Sequence, residues 1–102
     1  MSILEREPLK KYDFSAIKNV WEEMVFIAVS DLITNGEMCP CHDCVLDTCA
    51  VALNSLPPKY WFVDSYDLFF RRKKFEENIS NIRMAEEAVY KAYQIVQKNP
   101  HH

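Results

Sequence analysis

The sequence predicts a mainly α domain: three helices, a cysteine knuckle between the first and second, and one short extended segment. Three observations carry this. Apolar residues recur at three- and four-residue steps through most of the chain. Glycine occurs once, at Gly36, so tight hairpins and left-handed turns are few. Only Tyr60-Trp61-Phe62-Val63 is aromatic and branched enough to favour an extended backbone.

The elements follow in order. Residues 1–13 are polar and charged and read as an N-terminal arm. From Ser15 a helical pattern begins, with Ile17, Val20, Trp21, Met24, Val25, Ala28, Leu32 and Ile33 on one side. Asp13 or Ser15 can cap its start, and Asn35-Gly36 stops it, since both residues accept a left-handed helix end. Met38 to Cys44 is a compact turn. A second helix is predicted from about Asp43 to Ser55, with Val45, Ala50, Val51 and Leu53 on its buried side. Pro57-Pro58 ends it, because proline removes an amide and disfavours helix in the residue before it. The Tyr60–Val63 segment needs a strand partner, and the same segment of a second subunit is one way to provide it. Asp64 to Phe70 is ambiguous, and residues 64–75 are left as a connection. The last element is the longest. Phe75, Ile79, Ile82, Ala85, Val89, Ala92 and Val96 form one stripe, which predicts a helix of about 25 residues ending before Pro100.

Bulk properties narrow the function. A length of 102 residues suits one domain, residues 1–102. The net charge of −3 lacks the basic surplus of a general nucleic-acid binder, so no polymer binding is expected. No apolar run approaches the roughly 20 residues of a membrane span, and the N-terminus lacks a signal-peptide core. The expectation is a soluble cytoplasmic protein with no membrane partner. In such a compartment the four cysteines act as thiols or metal ligands rather than disulfides. One glycine cannot build a phosphate-cradling loop, so Walker-type and dinucleotide-fingerprint enzymes are excluded. No His-Glu-x-x-His motif occurs. Pro40-Cys41-x-x-Cys44 matches half of a zinc-deaminase signature, but the upstream His-x-Glu is missing. The chain is therefore read as a non-enzyme.

Cys39-x-Cys41-x-x-Cys44 is the most specific feature. Three thiols within six residues, folded around Pro40, can converge on one point. Cys44 falls in the first turn of the second helix, where unpaired amides favour the thiolate that binds zinc. A structural zinc on Cys39, Cys41 and Cys44 is expected. The fourth ligand stays open. Cys49 lies roughly 140° round a regular helix from Cys44 and reads better as a small core residue. Asp47 shares the face of Cys44, His42 sits inside the knuckle, and His101, His102 or solvent are further options. The alternatives are reduced thiols packed at a turn, or a redox pair, which would lack its usual βαβ setting.

The stretch Asn19-Val20-x-Glu22-Glu23-Met24-Val25, then Cys39-x-Cys41-x-x-Cys44 and Asp47, then Ala50 and Ala52-Leu53-Asn54-x-Leu56-Pro57-Pro58-x-Tyr60, resembles the ComFB family of late competence proteins. The resemblance covers roughly residues 17–63, and the C-terminal helix agrees in type. It implies a small, mostly helical bacterial homodimer with cysteine-bound zinc and a regulatory role in late competence. Some relatives are receptors for cyclic di-GMP or cyclic di-AMP. Such a ligand needs cations for two phosphates and flat groups for two bases. Arg71-Arg72-Lys73-Lys74 is the one dense basic run, and Tyr60, Trp61, Tyr66, Phe69 and Phe70 are aromatic neighbours in sequence. Lys59, Tyr60, Arg71, Arg72 and Lys73 are thus the candidate ligand residues, although a solvated helix start beside core aromatics would look the same. The expected function is a non-enzymatic regulator sensing a cyclic dinucleotide. The alternative is a zinc-stapled dimeric adaptor that binds an unidentified protein partner and no nucleotide.

Overall fold

Asn19 decides where the first long helix begins. Its side-chain Oδ1 accepts from the Trp21 N–H at 3.2 Å, while Glu22 Oε2 accepts from the Asn19 N–H at 2.7 Å. This reciprocal pair resembles a capping box set just ahead of the helix, whose own N-cap, Trp21, makes no side-chain cap bond. Helix α1 accordingly spans Glu22–Thr34. The computed structural model describes residues 2–63 and 68–98, with side chains of the second stretch described from residue 71. Among them are four α-helices and one two-stranded antiparallel sheet: β1 (Ile17–Asn19), α1, α2 (His42–Ser55), β2 (Tyr60–Phe62), α3 (Leu68–Glu77) and α4 (Ile79–Val96).

The chain from Ser15 is therefore not one helix as expected. Ile17 and Val20 fit a helical stripe, but Ile17 is an exposed strand residue. Strand β1 pairs with β2 in the register Ile17↔Phe62, Lys18↔Trp61 and Asn19↔Tyr60. The ladder continues outward through Val20 N–H to Lys59 O at 2.7 Å and Val63 N–H to Ala16 O at 2.8 Å. So β2 finds its partner within its own chain, and no second subunit is needed to satisfy it. Asp13 caps instead a short 3-10 turn, Phe14–Ala16, through the Ser15 N–H at 3.0 Å. The N-terminal arm holds two more such turns, Ile3–Glu5 and Leu9–Lys11, with no buried residue in either.

Helix α1 ends where the sequence predicted. Gly36 takes φ +71°. The Glu37 N–H donates to Leu32 O at 2.9 Å and the Gly36 N–H to Ile33 O at 3.1 Å, the two bonds of a Schellman ending. Helix α2 buries Cys44, Thr48, Cys49 and Ala52. This face is rotated from the predicted one: Ala50 is exposed, and Val45, Val51 and Leu53 are half-buried. Small residues on the buried line let α2 lie close to α4, its main neighbour. The turn after α2 is tied back to α1 by the Trp21 indole N–H, which donates to Pro57 O at 2.9 Å.

The predicted single C-terminal helix is two helices, and α3 starts at Leu68, inside the stretch 64–75 read as a connection. Asn78 interrupts the predicted helix: its Oδ1 accepts from the Ser80 and Asn81 N–H groups at 2.9 and 3.3 Å. An asparagine that can cap competes with the helix it would otherwise continue. On α4 the stripe Ala85, Val89, Ala92 and Val96 is buried as predicted, but Ile79 and Ile82 are exposed. Phe75 sits on α3 and packs edge-on against Trp21 and Trp61, with ring centroids 4.8 and 6.2 Å apart. The core lies where α1, α2 and α4 meet, around Val25, Ala52 and Val89.

Candidate functional site

The knuckle is built by the start of α2. Cys41 is the helix N-cap, in extended conformation, and its sulfur accepts from the Cys44 N–H at 3.4 Å. It stands where a serine or aspartate oxygen usually would. Cys44 sits one turn in, with only 1% of its surface exposed. Thr48, fully buried, donates its hydroxyl to the Cys44 carbonyl at 2.8 Å and holds that turn. Cys39 arrives from the turn after α1. Its N–H donates to Tyr93 Oη at 3.2 Å, so α4 braces the knuckle from behind. The Sγ atoms of Cys39, Cys41 and Cys44 all lie within 4.8 Å of one another.

This donor set fits one metal ion. In a tetrahedral thiolate site with bonds near 2.3 Å, sulfurs sit about 3.8 Å apart. The sulfurs also load one another electrostatically. The Cys44 thiol is pushed up to about 11, chiefly by its hydrogen bond with Cys41, then by burial and by Cys39. Three thiolates this close would repel, and a dication among them would hold all three as thiolates. Burial of Cys44 suits a closed structural site better than a catalytic site with an open position. None of the proposed fourth ligands joins the cluster among the described residues. His42 is exposed and its Nδ1 lies 3.2 Å from Asp43 Oδ1. Cys49 is buried in the core. Asp47 is half-buried on α2. His101 and His102 lie outside the described residues, as does Pro100.

Compared with known families, the chain matches the model described as "Late competence development protein ComFB" over residues 18–100. The chain belongs to the ComFB family. No curated protein and no solved structure matches it. The matched range begins inside β1, so the N-terminal arm lies outside the ComFB match and the knuckle lies well within it.

Of the candidate ligand residues of this ComFB chain, Arg72 and Tyr60 line different grooves. Arg72 is held between two carboxylates: its guanidinium contacts Glu23 Oε1 directly, and its Nε donates to Glu76 Oε1 at 3.0 Å. The Arg72 hydrogen bond lowers the Glu23 carboxyl from its ordinary range. Arg72 lines a groove of about 370 Å³ with Lys18, Glu23, Trp61 and Glu76. Tyr60, 63% exposed, lines a smaller groove of about 210 Å³ with Asn54 and Pro58. Asn19 and Glu22 border both. Tyr60 and Trp61 are successive strand residues and so point to opposite faces of the sheet. Lys59, Arg71 and Lys73 are exposed. Tyr66 lies outside the described residues, as do the side chains of Phe69 and Phe70. Three residues escaped the sequence reading: Tyr93, Thr48 and Glu76. Tyr93 reaches Cys39 only on folding, whereas Thr48 and Glu76 make contacts four residues apart on their own helices, a spacing that could have marked them.

Proposed function

We propose that this ComFB-family chain is a non-enzymatic cytoplasmic regulator whose three cysteines hold a structural zinc ion, and which works by binding rather than by chemistry. The observation that carries this is the convergence of three sulfurs on the buried start of α2, tied to α1 by the preceding turn and to α4 by Tyr93. An ion there would join all three core helices. The test is zinc content of purified, tag-free protein together with its melting curve. About one zinc per chain and a fall in melting temperature on chelation are expected. Metal-free protein with an unchanged melt would overturn the reading.

The ligand of this module is, in the same proposal, a cyclic dinucleotide, cyclic di-GMP or cyclic di-AMP, bound by a homodimer. Exposed Arg71, Lys73 and Lys59 offer phosphate contacts and exposed Tyr60 a stacking face. A thermal-shift screen with both cyclic dinucleotides and a linear control tests this. A selective upward shift is expected with one of them, reduced by Arg71→Ala with Lys73→Ala.

A specific observation favours a second reading. Arg72, the central cation of the basic run, is already neutralised by Glu23 and Glu76, and Glu22 lines the same groove. A dianionic ligand must displace these carboxylates or avoid them. A zinc-stapled adaptor for a protein partner, with no nucleotide, has no such conflict. Absence of any nucleotide shift, with zinc present, would establish it.

A further inference from the structure

Helices α1 and α4 do not close against each other along their outer edge. Between them runs a furrow made of two adjoining cavities of about 230 and 480 Å³. Its floor is apolar. Met24, Ile27, Ile82 and Ala85 form one end, Leu32 and Val89 the other, and Ala28 belongs to both. The two alanines, one on each helix, make the depression. Ile27 is 63% exposed and Ile82 37%, so two isoleucines stand at its edge with nothing over them among the described residues.

The rim is acidic. Asp31 and Glu86 border both cavities, and Glu76, Glu37 and Glu87 extend the rim at its ends. Among the described residues Lys91 is the one cation lining the furrow. Glu76 is shared with Arg72. Asp31, Glu37, Glu86 and Glu87 have no ion-pair partner among the described residues. The α1 wall from Met24 to Asn35 is about 16 Å long, three helical turns.

These features select an occupant. The carboxylates repel nucleic acid and small anions. A polyamine or metal ion would gain nothing from the apolar floor. A second copy docked here about a two-fold axis would set each acidic rim against itself, which costs rather than stabilises. The geometry points to a docking site for an amphipathic helix of another protein, with aliphatic side chains at three- and four-residue steps and lysine or arginine along both flanks. The furrow's length takes one such segment. This assignment rests on the binding role proposed above and needs neither the nucleotide nor the metal, so either can fail without it.

The probe is a fluorescein-labelled synthetic helix with leucine at three- and four-residue steps and lysine at the positions between, followed by anisotropy at about 0.15 M salt. A scrambled peptide of the same composition is its control. Saturable binding of the amphipathic peptide is expected. Ile27→Ser alone should weaken it, and Asp31→Lys with Glu86→Lys should weaken it by about tenfold or more. The same charge change in the arm, Glu5→Lys with Glu7→Lys, should leave affinity within about twofold. All the altered side chains are exposed, and unchanged melting of each variant checks that it folds. Equal binding of the scrambled peptide, or no effect of Ile27→Ser, would reduce the furrow to a general negative field and overturn the assignment. So would light scattering showing a self-associated protein that Ile27→Ser disperses, because the occupant would then be a second copy.

Discussion

At the scale of single residues, the cysteines carry most of the specificity. Cys41 is both a proposed metal ligand and the N-cap of α2. Cys41→Ser keeps a capping oxygen but removes a soft ligand, so it separates the two roles. The expected outcome is loss of bound zinc and a destabilisation of several kcal/mol in the metal-loaded comparison, read by melting with and without chelator. If the cap alone mattered, serine would melt like the parent protein. The Glu23–Arg72 pair makes a pH prediction. Glu23 is held below its ordinary carboxylate range by Arg72. A lowered folded-state value contributes stability that is complete above the unfolded value and is lost as pH falls through the folded one. The packing of α3 on α1 should therefore weaken below about pH 4.5, the ordinary value. Fluorescence of Trp21 and Trp61, both against Phe75, reports it. Arg72→Ala should show the weakened signal already at neutral pH, with little further change on acidification.

At the scale of elements, helix ends are where local chemistry and outcome agree best, and where one expectation failed. Asn35-Gly36 ended α1 as read, because a left-handed residue is a local demand that glycine meets without tertiary help. A Cβ added at Gly36 meets nothing within 4 Å, so Gly36→Ala should cost about 1 kcal/mol through backbone strain alone. Chemical denaturation measures it. The apolar stripe carries one helix through Asn78, yet the Asn78 side chain caps α4 with two hydrogen bonds. Asn78→Ala should cost about 1 kcal/mol if capping is what it contributes. A gain in stability and helicity would show instead that α3 and α4 prefer to fuse. The start of α1 was misplaced for a related reason. Ile17, Val20 and Trp21 recur at steps compatible with a helix, but Asn19, three residues before the α1 start, exchanges hydrogen bonds with Glu22 and Trp21 and ends the strand there. The signature Asn-x-x-Glu was present in the sequence and outweighed by periodicity.

At the scale of the whole molecule, the proposed zinc would make the knuckle a staple on a thin core. Cys39, Cys41 and Cys44 lie where the α1–α2 turn meets α2, and the Tyr93 contact brings in α4. Removing the proposed zinc should loosen three helices together rather than one turn. A fall of at least roughly 10 °C in melting temperature is expected on chelation, with all probes moving in one transition. Two separate transitions would mean that the knuckle melts on its own and does not bind the core together. No helix among the described residues is long and apolar enough to cross a membrane.

The helical class, the end of α1, the extent of α2 and the three metal-competent cysteines were legible in the sequence because each depends on neighbours within one or two turns. Spacing puts Cys39, Cys41 and Cys44 together, proline stops α2, and an apolar stripe buries α4. The partner of β2, the buried face of α2, the Tyr93 brace and the pairing of Arg72 with Glu23 were not legible. Each joins residues far apart in the chain, where the choice among many possible partners depends on which surfaces packing brings together. The acidic furrow between α1 and α4 belongs to the same kind. Its carboxylates are ordinary exposed residues on two helices, and they become one binding rim only when Ala28 and Ala85 bring those helices side by side.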